Sequence, residues 1–223
     1  MESKSKSNSL SINAISGIPS IESGDNIAEI IIKGMDKNEM SFEDNDVVVI
    51  AQKIISKSEN RLISLLDIIP TKEAKKIAKE ANKDPRLVEL ILQESKSIIR
   101  VSDGVIISEH RLGHILANAG IDRSNIGINE RDDKVLLLPI NPDNSAKKIR
   151  DYIFKKTNIN IGILITDSMG RAWRMGTIGH ALGSSGIKTL IDLRNNAVDL
   201  DERELQTTCI AWADQLAAAA TLI

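Results

Sequence analysis

Cysteine, aromatic residues and long apolar runs are all scarce in this 223-residue chain. Cys209 is the only cysteine, so no disulfide can form within the chain and no thiolate cluster can hold zinc or an iron–sulfur centre. Aromatic residues make up 2% of the sequence, which argues against the stacking surfaces that bind single-stranded nucleic acid. No window reaches the roughly 18 consecutive apolar residues of a membrane-spanning helix, and the Ser/Lys/Asn-rich start lacks the apolar core of a secretory signal. We therefore expect a cytoplasmic protein.

Charge of either sign is also not in excess. The chain has 29 Lys and Arg against 31 Asp and Glu, a net charge of -2, so no general attraction to nucleic acid or to anionic membranes is expected. With 42% hydrophobic and 27% charged residues, the composition is that of a globular protein long enough to bury its own core. We expect a disordered polar tail over residues 1–11 and one folded domain over residues 12–223.

The apolar pattern predicts a mixed α/β (α+β) fold. Asp25 predicts the start of a first helix, and Asp84 followed by Pro85 predicts the start of another. Apolar periodicity predicts further helices over residues 72–82 and 145–156. Short apolar runs predict strands at 10–15, 47–51, 98–101, 105–108, 114–118, 135–140 and 159–166, with the strand at 47–51 buried on both faces.

Three features of the second half bear on assembly and function. The order strand 135–140, helix, strand 159–166 favours a parallel pair with a right-handed crossover. The glycines in residues 168–187 predict a long functional loop containing at most one strand, followed by a short strand over 188–193. A helix is expected from Leu205 onward. Because this helix is apolar nearly all round, it is expected to be buried, and a second subunit is one candidate partner.

Two acidic motifs stand at the ends of predicted strands. Asp122 and Asn125 follow the strand at 114–118, and Asp167 with Ser168 ends the strand at 159–166. Ligands of α/β sheets bind at such strand ends, and carboxylate and hydroxyl oxygens suit a hard cation such as Mg²⁺. Either acid alone could equally satisfy local amides in a turn. The two together predict a metal site more strongly than each does separately.

Four basic residues are further candidates for a binding role. Arg171 and Arg174 follow Asp167, where guanidinium groups suit a phosphate or a carboxylate. Lys53 and Lys57 follow the strand at 47–51 and could hold a polyphosphate, although solvated surface lysines are the commoner case. The three histidines match neither a zinc-protease motif nor a nucleophile triad, and no glycine-rich nucleotide fingerprint occurs. The residues alone therefore reach only an α/β protein with metal and phosphate chemistry as one option.

Six segments taken together resemble the coenzyme F420:L-glutamate ligase family, collinearly from about residue 12 to the end of the chain. They are GIP at 17–19, IAQKIISK at 50–57, NAGIDRSN at 118–125, LP at 138–139, TDSMGR at 166–171 and REL at 203–205. The resemblance implies a mixed α/β fold and an intertwined homodimer. It also implies an enzyme that joins the amine of L-glutamate to the terminal carboxylate of the deazaflavin coenzyme precursor, with GTP converted to GDP and phosphate through an acyl phosphate.

The same resemblance implies site residues. Asp122 and Asp167 are expected to bind one divalent ion, Mg²⁺ or Mn²⁺, and Ser168 a second, with K⁺ as a further candidate ion. Arg171 and Arg174 are a hypothesis for holding an anionic substrate. The residues expected to contact the nucleotide are Ile18, Pro19, Ser20, Ile21, Gln52, Lys53, Lys57 and Asn125.

The chain departs from the family pattern in three places. Ser168 stands where threonine is commoner, which keeps the hydroxyl. Met169 and the pair Asp201 and Glu202 replace more usual residues, with no consequence that we can derive. Family members continue beyond residue 223 into a glycine-rich segment that contacts nucleotide and metal. The alternative interpretation is therefore a truncated or non-catalytic member that keeps the dimer scaffold without turning over GTP.

Overall fold

The computed structural model describes residues 9–124 and 133–223, in which six α-helices and ten strands form. The helices are α1 (Ile27–Lys37), α2 (Gln52–Ser58), α3 (Lys72–Ala81), α4 (Pro85–Glu94), α5 (Pro142–Thr157) and α6 (Trp212–Ala220). The strands are β1 (Val47–Ala51), β2 (Leu62–Ser64), β3 (Ser95–Ser102), β4 (Val105–His110), β5 (Ile115–Ala117), β6 (Lys134–Leu136), β7 (Gly162–Arg171), β8 (Arg174–Ser185), β9 (Ile191–Asp192) and β10 (Cys209–Ile210). The mixed α/β class is confirmed.

One sheet has the order β1-β7-β8, with β1 parallel to β7 and β8 antiparallel to it. Alternate residues of β7 point to opposite faces. Ile163 and Ile165 pack in the cluster formed with α1 and α5, whereas Leu164 packs against Ala213 and Ala217 of α6. A three-layer arrangement follows, with the buried start of β7 in the middle. Both faces of β1 pack against core clusters, Val48 and Ile50 on one side and Val47 and Val49 on the other, but only Ile50 is fully buried, so the prediction of burial on both faces is confirmed only in part.

A second sheet, β3-β4-β5, is antiparallel and is covered by α3 and α4. Small alanines of α3 let the helices approach closely, and Ile106 of β4 and Val88 of α4 are completely buried there. The two helices begin at the predicted residues. Thr71 caps α3, and Asp84 caps α4 with Pro85 as its first residue. In α1 the cap is Asn26 rather than the predicted Asp25.

A partly buried charge cluster connects this second sheet to the rest of the chain. The Glu94 carboxylate, at the end of α4, lies 2.8 Å from Arg61 Nη2 and 3.0 Å from Arg111 Nε. His110 is completely buried beside it, with Nε2 3.4 Å from Glu94 Oε2. Burial opposes ionisation of Glu94, but the adjacent His110 imidazole and the hydrogen bonds from Arg61 and Arg111 outweigh it and lower its pKa to about 2.

The largest difference from the sequence prediction is at residues 168–187. They do not form a loop but most of the antiparallel β7–β8 hairpin, which extends to Arg171 and Arg174. The glycines here let neighbouring helices approach the strand: a Cβ on Gly179 would overlap the Ala217 carbonyl of α6, and one on Gly183 would overlap Pro142 of α5. Glycine in this strand indicates close packing rather than a turn.

Three further predictions of local structure were wrong. Residues 135–140 and 159–166 do not form a parallel pair: β6 pairs antiparallel with β2, and β7 takes β1 as its parallel partner. Residues 10–15 form no strand, because Ile15 packs beside α1 instead of into a ladder. The last helix begins at Trp212, since residues 205–211 carry only the short strand β10, which pairs with β9.

No helix in residues 9–124 and 133–223 is both long enough and apolar enough to cross a bilayer.

Candidate functional site

The candidate site lies at one edge of the β1-β7-β8 sheet. Parallel strands end at the same edge, and Ala51 and Thr166 form the last pair of the β1–β7 ladder. After this pair, β1 leads directly into α2 with Gln52 and Lys53, and β7 continues into Asp167. The chain thus brings two segments that are distant in sequence to one place, where ligands of α/β sheets bind.

Asp122 reaches this edge from the second sheet. Asn118, Ala119 and Gly120 are consecutive residues in the left-handed region, with φ values of 51°, 53° and 67°. This tight turn is followed by a bridge in which Asp122 and Leu136 exchange backbone hydrogen bonds of 3.0 and 2.9 Å. A Cβ on Gly120 would lie 2.8 Å from the Leu138 side chain. Glycine therefore suits this position twice, because it adopts the left-handed conformation readily and leaves room for Leu138.

Lys53, Asp122 and Ser124 form a closely bonded group. Lys53 Nζ lies 2.6 Å from Asp122 Oδ2 and donates to Ser124 Oγ at 2.6 Å. The Ser124 N–H donates to Asp122 Oδ1 at 2.6 Å. Burial opposes ionisation of Asp122, but these hydrogen bonds outweigh it and hold its pKa below the usual value. Asp122 is therefore an anion at neutral pH with an ammonium group directly beside it.

Asp167 is the second carboxylate of the site. Its Oδ1 accepts the Ser168 N–H at 2.8 Å. Burial raises the pKa of Asp167, the Ser168 hydrogen bond opposes that shift, and the nearby charge of Asp122 raises the pKa further. The ammonium group of Lys53 is bound to Asp122, and its positive charge opposes the rise in the pKa of Asp167.

These two carboxylates fit one kind of metal ion better than others. Mg²⁺ is bound through one or two carboxylates together with water and substrate phosphate oxygens, whereas zinc requires three or four protein ligands. The described part of the chain contains no group of three or more His, Cys, Asp or Glu side chains arranged to hold a metal. Asp122 and Asp167 are therefore a suitable partial ligand set for a hard divalent ion that a phosphorylated substrate completes.

Two more of the expected nucleotide residues lie on α2. Gln52 is buried, and its Oε1 accepts the Ser56 hydroxyl at 2.8 Å, while its Nε2 has no hydrogen-bond partner among the described residues. An orphaned buried amide donor at the edge of a site is suited to an acceptor oxygen on a ligand. Lys57 follows Lys53 by one helical turn, so both lysines lie on the same face of α2.

The segment containing Ile18, Pro19, Ser20 and Ile21 has no regular structure. Ile18 and Ile21 pack into the cluster beneath α1, whereas Pro19 and Ser20 are exposed. Gly24, just beyond it, donates its N–H to the Ser58 carbonyl at the end of α2 at 2.9 Å. Ile18 and Ile21 thus contribute to the core, and Pro19 and Ser20 are the members of the segment that solvent can reach.

Three expected residues are not brought to Asp122 within one chain. Ser168 is adjacent to Asp167 on a strand, so its side chain points to the opposite face of the sheet. Arg171 and Arg174 face each other at the end of the hairpin, about 13 Å along the strand from Asp167 at 3.3 Å per residue. Asn125 lies outside the described residues.

The structure also shows neighbours of Asp167 to which the sequence assigned no role. His180 is the residue paired with Asp167 across the hairpin, and its Nδ1 lies 3.4 Å from Asp214 of α6. The His114 ring packs edge-on against His180 at a centroid distance of 5.5 Å. These residues line an open cleft of about 270 Å³ next to the site. No spacing in the sequence could have indicated them, because their proximity depends on the β7–β8 pairing.

Comparison with known proteins identifies the family. Residues 17–223 match the family model for F420-0:Gamma-glutamyl ligase. The chain is 42% identical over 214 residues to the coenzyme F420:L-glutamate ligase of Methanothermobacter thermautotrophicus, covering 96% of this chain and 83% of that protein. It is 46% identical over 182 residues to the protein of the same name from Methanocaldococcus jannaschii, covering 82% of this chain and 71% of that protein. With the family motifs at 118–125 and 166–171 contributing Asp122 and Asp167 to one edge of the sheet, this chain belongs to the F420-0:Gamma-glutamyl ligase family.

Proposed function

We propose that this protein is a GTP-dependent ligase that joins L-glutamate to the terminal carboxylate of the coenzyme F420 precursor. The names of its relatives support glutamate ligation to that coenzyme. The observation that carries the proposal is the convergence of Lys53, Asp122 and Asp167 at the ends of β1 and β7. Its single cysteine, Cys209, is unpaired, which accords with a reducing cytoplasmic setting.

The reaction needs an activated carboxylate, since a carboxylate is a poor acyl donor. A carboxylate oxygen of the acceptor attacks the γ-phosphorus of GTP, and the bond from that phosphorus to the β–γ bridging oxygen breaks to release GDP. The glutamate amine then attacks the acyl carbon, the carbon–oxygen bond to the phosphoryl group breaks, and the nitrogen loses a proton. The products are an amide, GDP and phosphate.

Negative charge on the phosphoryl oxygens is the main electrostatic problem of the first step. We assign Lys53 to those oxygens, because its ammonium group already lies between Asp122 and Ser124 at the site. Asp122 and Asp167 would hold a divalent ion, Mg²⁺ or Mn²⁺. When bound, such an ion supplies positive charge to the phosphoryl oxygens. Gln52 Nε2 offers a buried donor to the nucleotide.

We further propose that the protein acts as a homodimer. Trp173 and Met175 at the tip of the hairpin are 101% and 99% exposed, an unfavourable state for large apolar side chains. Association of two hairpins would cover them. Association could also bring Ser168, Arg171 and Arg174 to the site of the other protomer, since they lie away from Asp122 in their own chain.

The test of the ligase proposal uses the purified 223-residue chain with GTP, Mg²⁺ or Mn²⁺, L-glutamate and the unglutamylated coenzyme precursor. We expect a gain of one or more glutamyl residues in the coenzyme, measured by mass spectrometry, with one GDP released per glutamate added. Folded protein that yields neither product would contradict the proposal and support the non-catalytic alternative. Release of GDP without coenzyme modification would instead indicate a GTPase.

A further inference from the structure

A basic cleft lies between α3 and α4, outside the site described above. It is open, has a volume of about 380 Å³, and is lined by Lys75, Ala78, Lys79, Asn82, Lys83 and Pro85. None of the described residues that line it is an acid. Throughout residues 9–124 and 133–223, no residue forms an ion pair with any of the three lysines. Among the described residues, the three lysines of the cleft therefore have no acid bound to them.

Arg123, an exposed residue from a different segment, is a further cation near the cleft, although it does not line it. Partial burial lowers the pKa of Lys83, and the charge of Arg123 lowers it further. Asp84, which follows Lys83 in the sequence, is already bound by Arg86, with Nη2 to Oδ2 at 2.7 Å. A lysine near the C-terminal end of a helix also interacts favourably with the helix dipole. This is a sufficient reason for Lys79 on α3, but it does not apply to Arg123, which lies outside that helix. Like charges held together in this way favour binding of an anion.

The cleft is connected to the candidate site through the chain itself. Arg123 stands between Asp122, which binds Lys53, and Ser124, which accepts from the same lysine. Ala78, in the cleft, belongs to the same buried cluster as Ala119, which precedes Asp122 in the left-handed turn. The packing of α3 on this turn thus fixes the position of the cleft relative to the carboxylates.

We propose that this basic cleft, lined by Lys75, Lys79 and Lys83 with Arg123 nearby, binds the anionic, carboxylate-bearing side chain of the acceptor substrate and directs its end toward Lys53 and Asp122. The proposal rests on the proposed ligase function. A ligase that adds an amino acid with two carboxylates makes a product more anionic than its substrate, so a row of cations can hold both. Nucleic acid is a poorer match, because the net charge is -2 and aromatic residues make up only 2% of the chain.

The test measures binding of a defined probe to the full chain, so that it does not depend on turnover. γ-Linked triglutamate, a linear polycarboxylate, is titrated into wild-type protein, into the double variant Lys79→Gln with Lys83→Gln, and into Arg123→Gln. Lys148→Gln is the matched control, since Lys148 is an exposed lysine on α5 with no place in the cleft. GTP binding is measured in parallel, and circular dichroism confirms that each variant is folded.

We expect the double variant and Arg123→Gln each to weaken probe binding by about tenfold, because each removes charge-assisted hydrogen bonds to carboxylates. Lys148→Gln should change probe binding by less than about twofold, and GTP binding should change as little in every variant, because exposed charges outside a site contribute little. The proposal is overturned if wild-type protein does not bind the probe, if all variants bind it equally, or if GTP affinity falls in step with probe affinity. If the protein binds the probe through the cleft but has no ligase activity, the result would support an anion-binding role for the cleft and contradict the proposed function.

Discussion

The two ends of the β7–β8 hairpin have opposite environments although they belong to the same pair of strands. At its base, residues from Gly162 to Thr166 are buried between α5 and α6. At its tip, every residue from Gly170 to Thr177 is exposed, including Trp173. Packing explains the sequence of the base, but nothing within the described chain explains an apolar tip. One element therefore packs into the fold at one end and leaves large apolar side chains exposed at the other.

Asp167 lies between the base and the tip, and its substitution should give the largest effect. Asp167→Asn keeps the shape but removes a charge that a divalent ion and a phosphoryl group require, so we expect turnover to fall by about 100-fold or more. The unfolding temperature should stay within a few degrees of wild type. Burial raises the pKa of Asp167, which means that its ionised form does not stabilise the fold, so removing the charge costs little stability. Coenzyme mass and GDP release measure the outcome.

Asp36→Asn is the control for this experiment, because Asp36 is an exposed acid on α1. It should leave turnover unchanged. If Asp167→Asn were as active as Asp36→Asn, Asp167 would have no part in metal binding and the proposed site would have to be abandoned.

Glycines at the two ends of the hairpin provide the sharpest stability comparison. Gly183→Ala places a methyl group against Pro142 and the start of α5, so we expect the free energy of unfolding to fall by about 3 kcal/mol. Gly170→Ala meets no atom within 4 Å, so its effect should stay within about 0.5 kcal/mol. Urea denaturation of both variants measures the difference. Equal effects would contradict the distinction between a packed base and a free tip.

An ionised carboxylate, Glu94, stabilises the region of the second sheet, whereas close packing stabilises the base of the hairpin. The two contributions differ in their dependence on pH. Glu94 has a folded pKa of about 2 against an ordinary value of 4.5, so its contribution is complete above pH 4.5 and is lost as pH falls toward 2. Glu94→Gln should lower the free energy of unfolding by about 3 kcal/mol at pH 7 and by about half as much at pH 3.

The loss caused by Gly183→Ala, in contrast, should be the same at both pH values, because overlap of a methyl group with Pro142 does not depend on protonation. Denaturation curves at pH 7 and pH 3 measure both variants under matched conditions. A Glu94→Gln effect that did not shrink at pH 3 would show that the carboxylate acts through its shape rather than its charge.

The sequence was sufficient for the elements whose signals are local. Caps and apolar periodicity predicted α3 and α4, and the position of two acids at strand ends predicted that Asp122 and Asp167 lie close together. It failed for residues 168–187, because glycines that admit α5 and α6 cannot be distinguished from glycines in a loop without knowing the tertiary neighbours. The parallel partner of β7 was missed for the same reason: β1 is distant in sequence.

The site shows the same division between local and long-range information. Motif position assigned Lys53 to the nucleotide and Asp122 to a metal ion, and the structure brings these two side chains within 2.6 Å of each other. It grouped Ser168, Arg171 and Arg174 with them because they follow Asp167 closely in sequence. In one chain, the alternation of side chains along β7 turns Ser168 away from the site, and the length of the hairpin carries Arg171 and Arg174 away from it. Both effects follow only from the extended conformation of residues 168–187.

The smallest effect on the fold, and the most direct test of the free tip, is expected from Trp173→Ser. Because Trp173 is 101% exposed, its replacement should change the free energy of unfolding of the single chain by less than about 0.5 kcal/mol. In the proposed homodimer the same side chain would be buried, so the dimer dissociation constant should rise by about tenfold or more, as for aromatic residues at the centre of an interface. Light scattering over a dilution series measures it. Ile69→Ser, at an 88% exposed position outside the hairpin, is the matched control and should leave the dissociation constant unchanged. If the two variants dissociate alike, the tip does not form the interface and its apolar surface must serve a different partner.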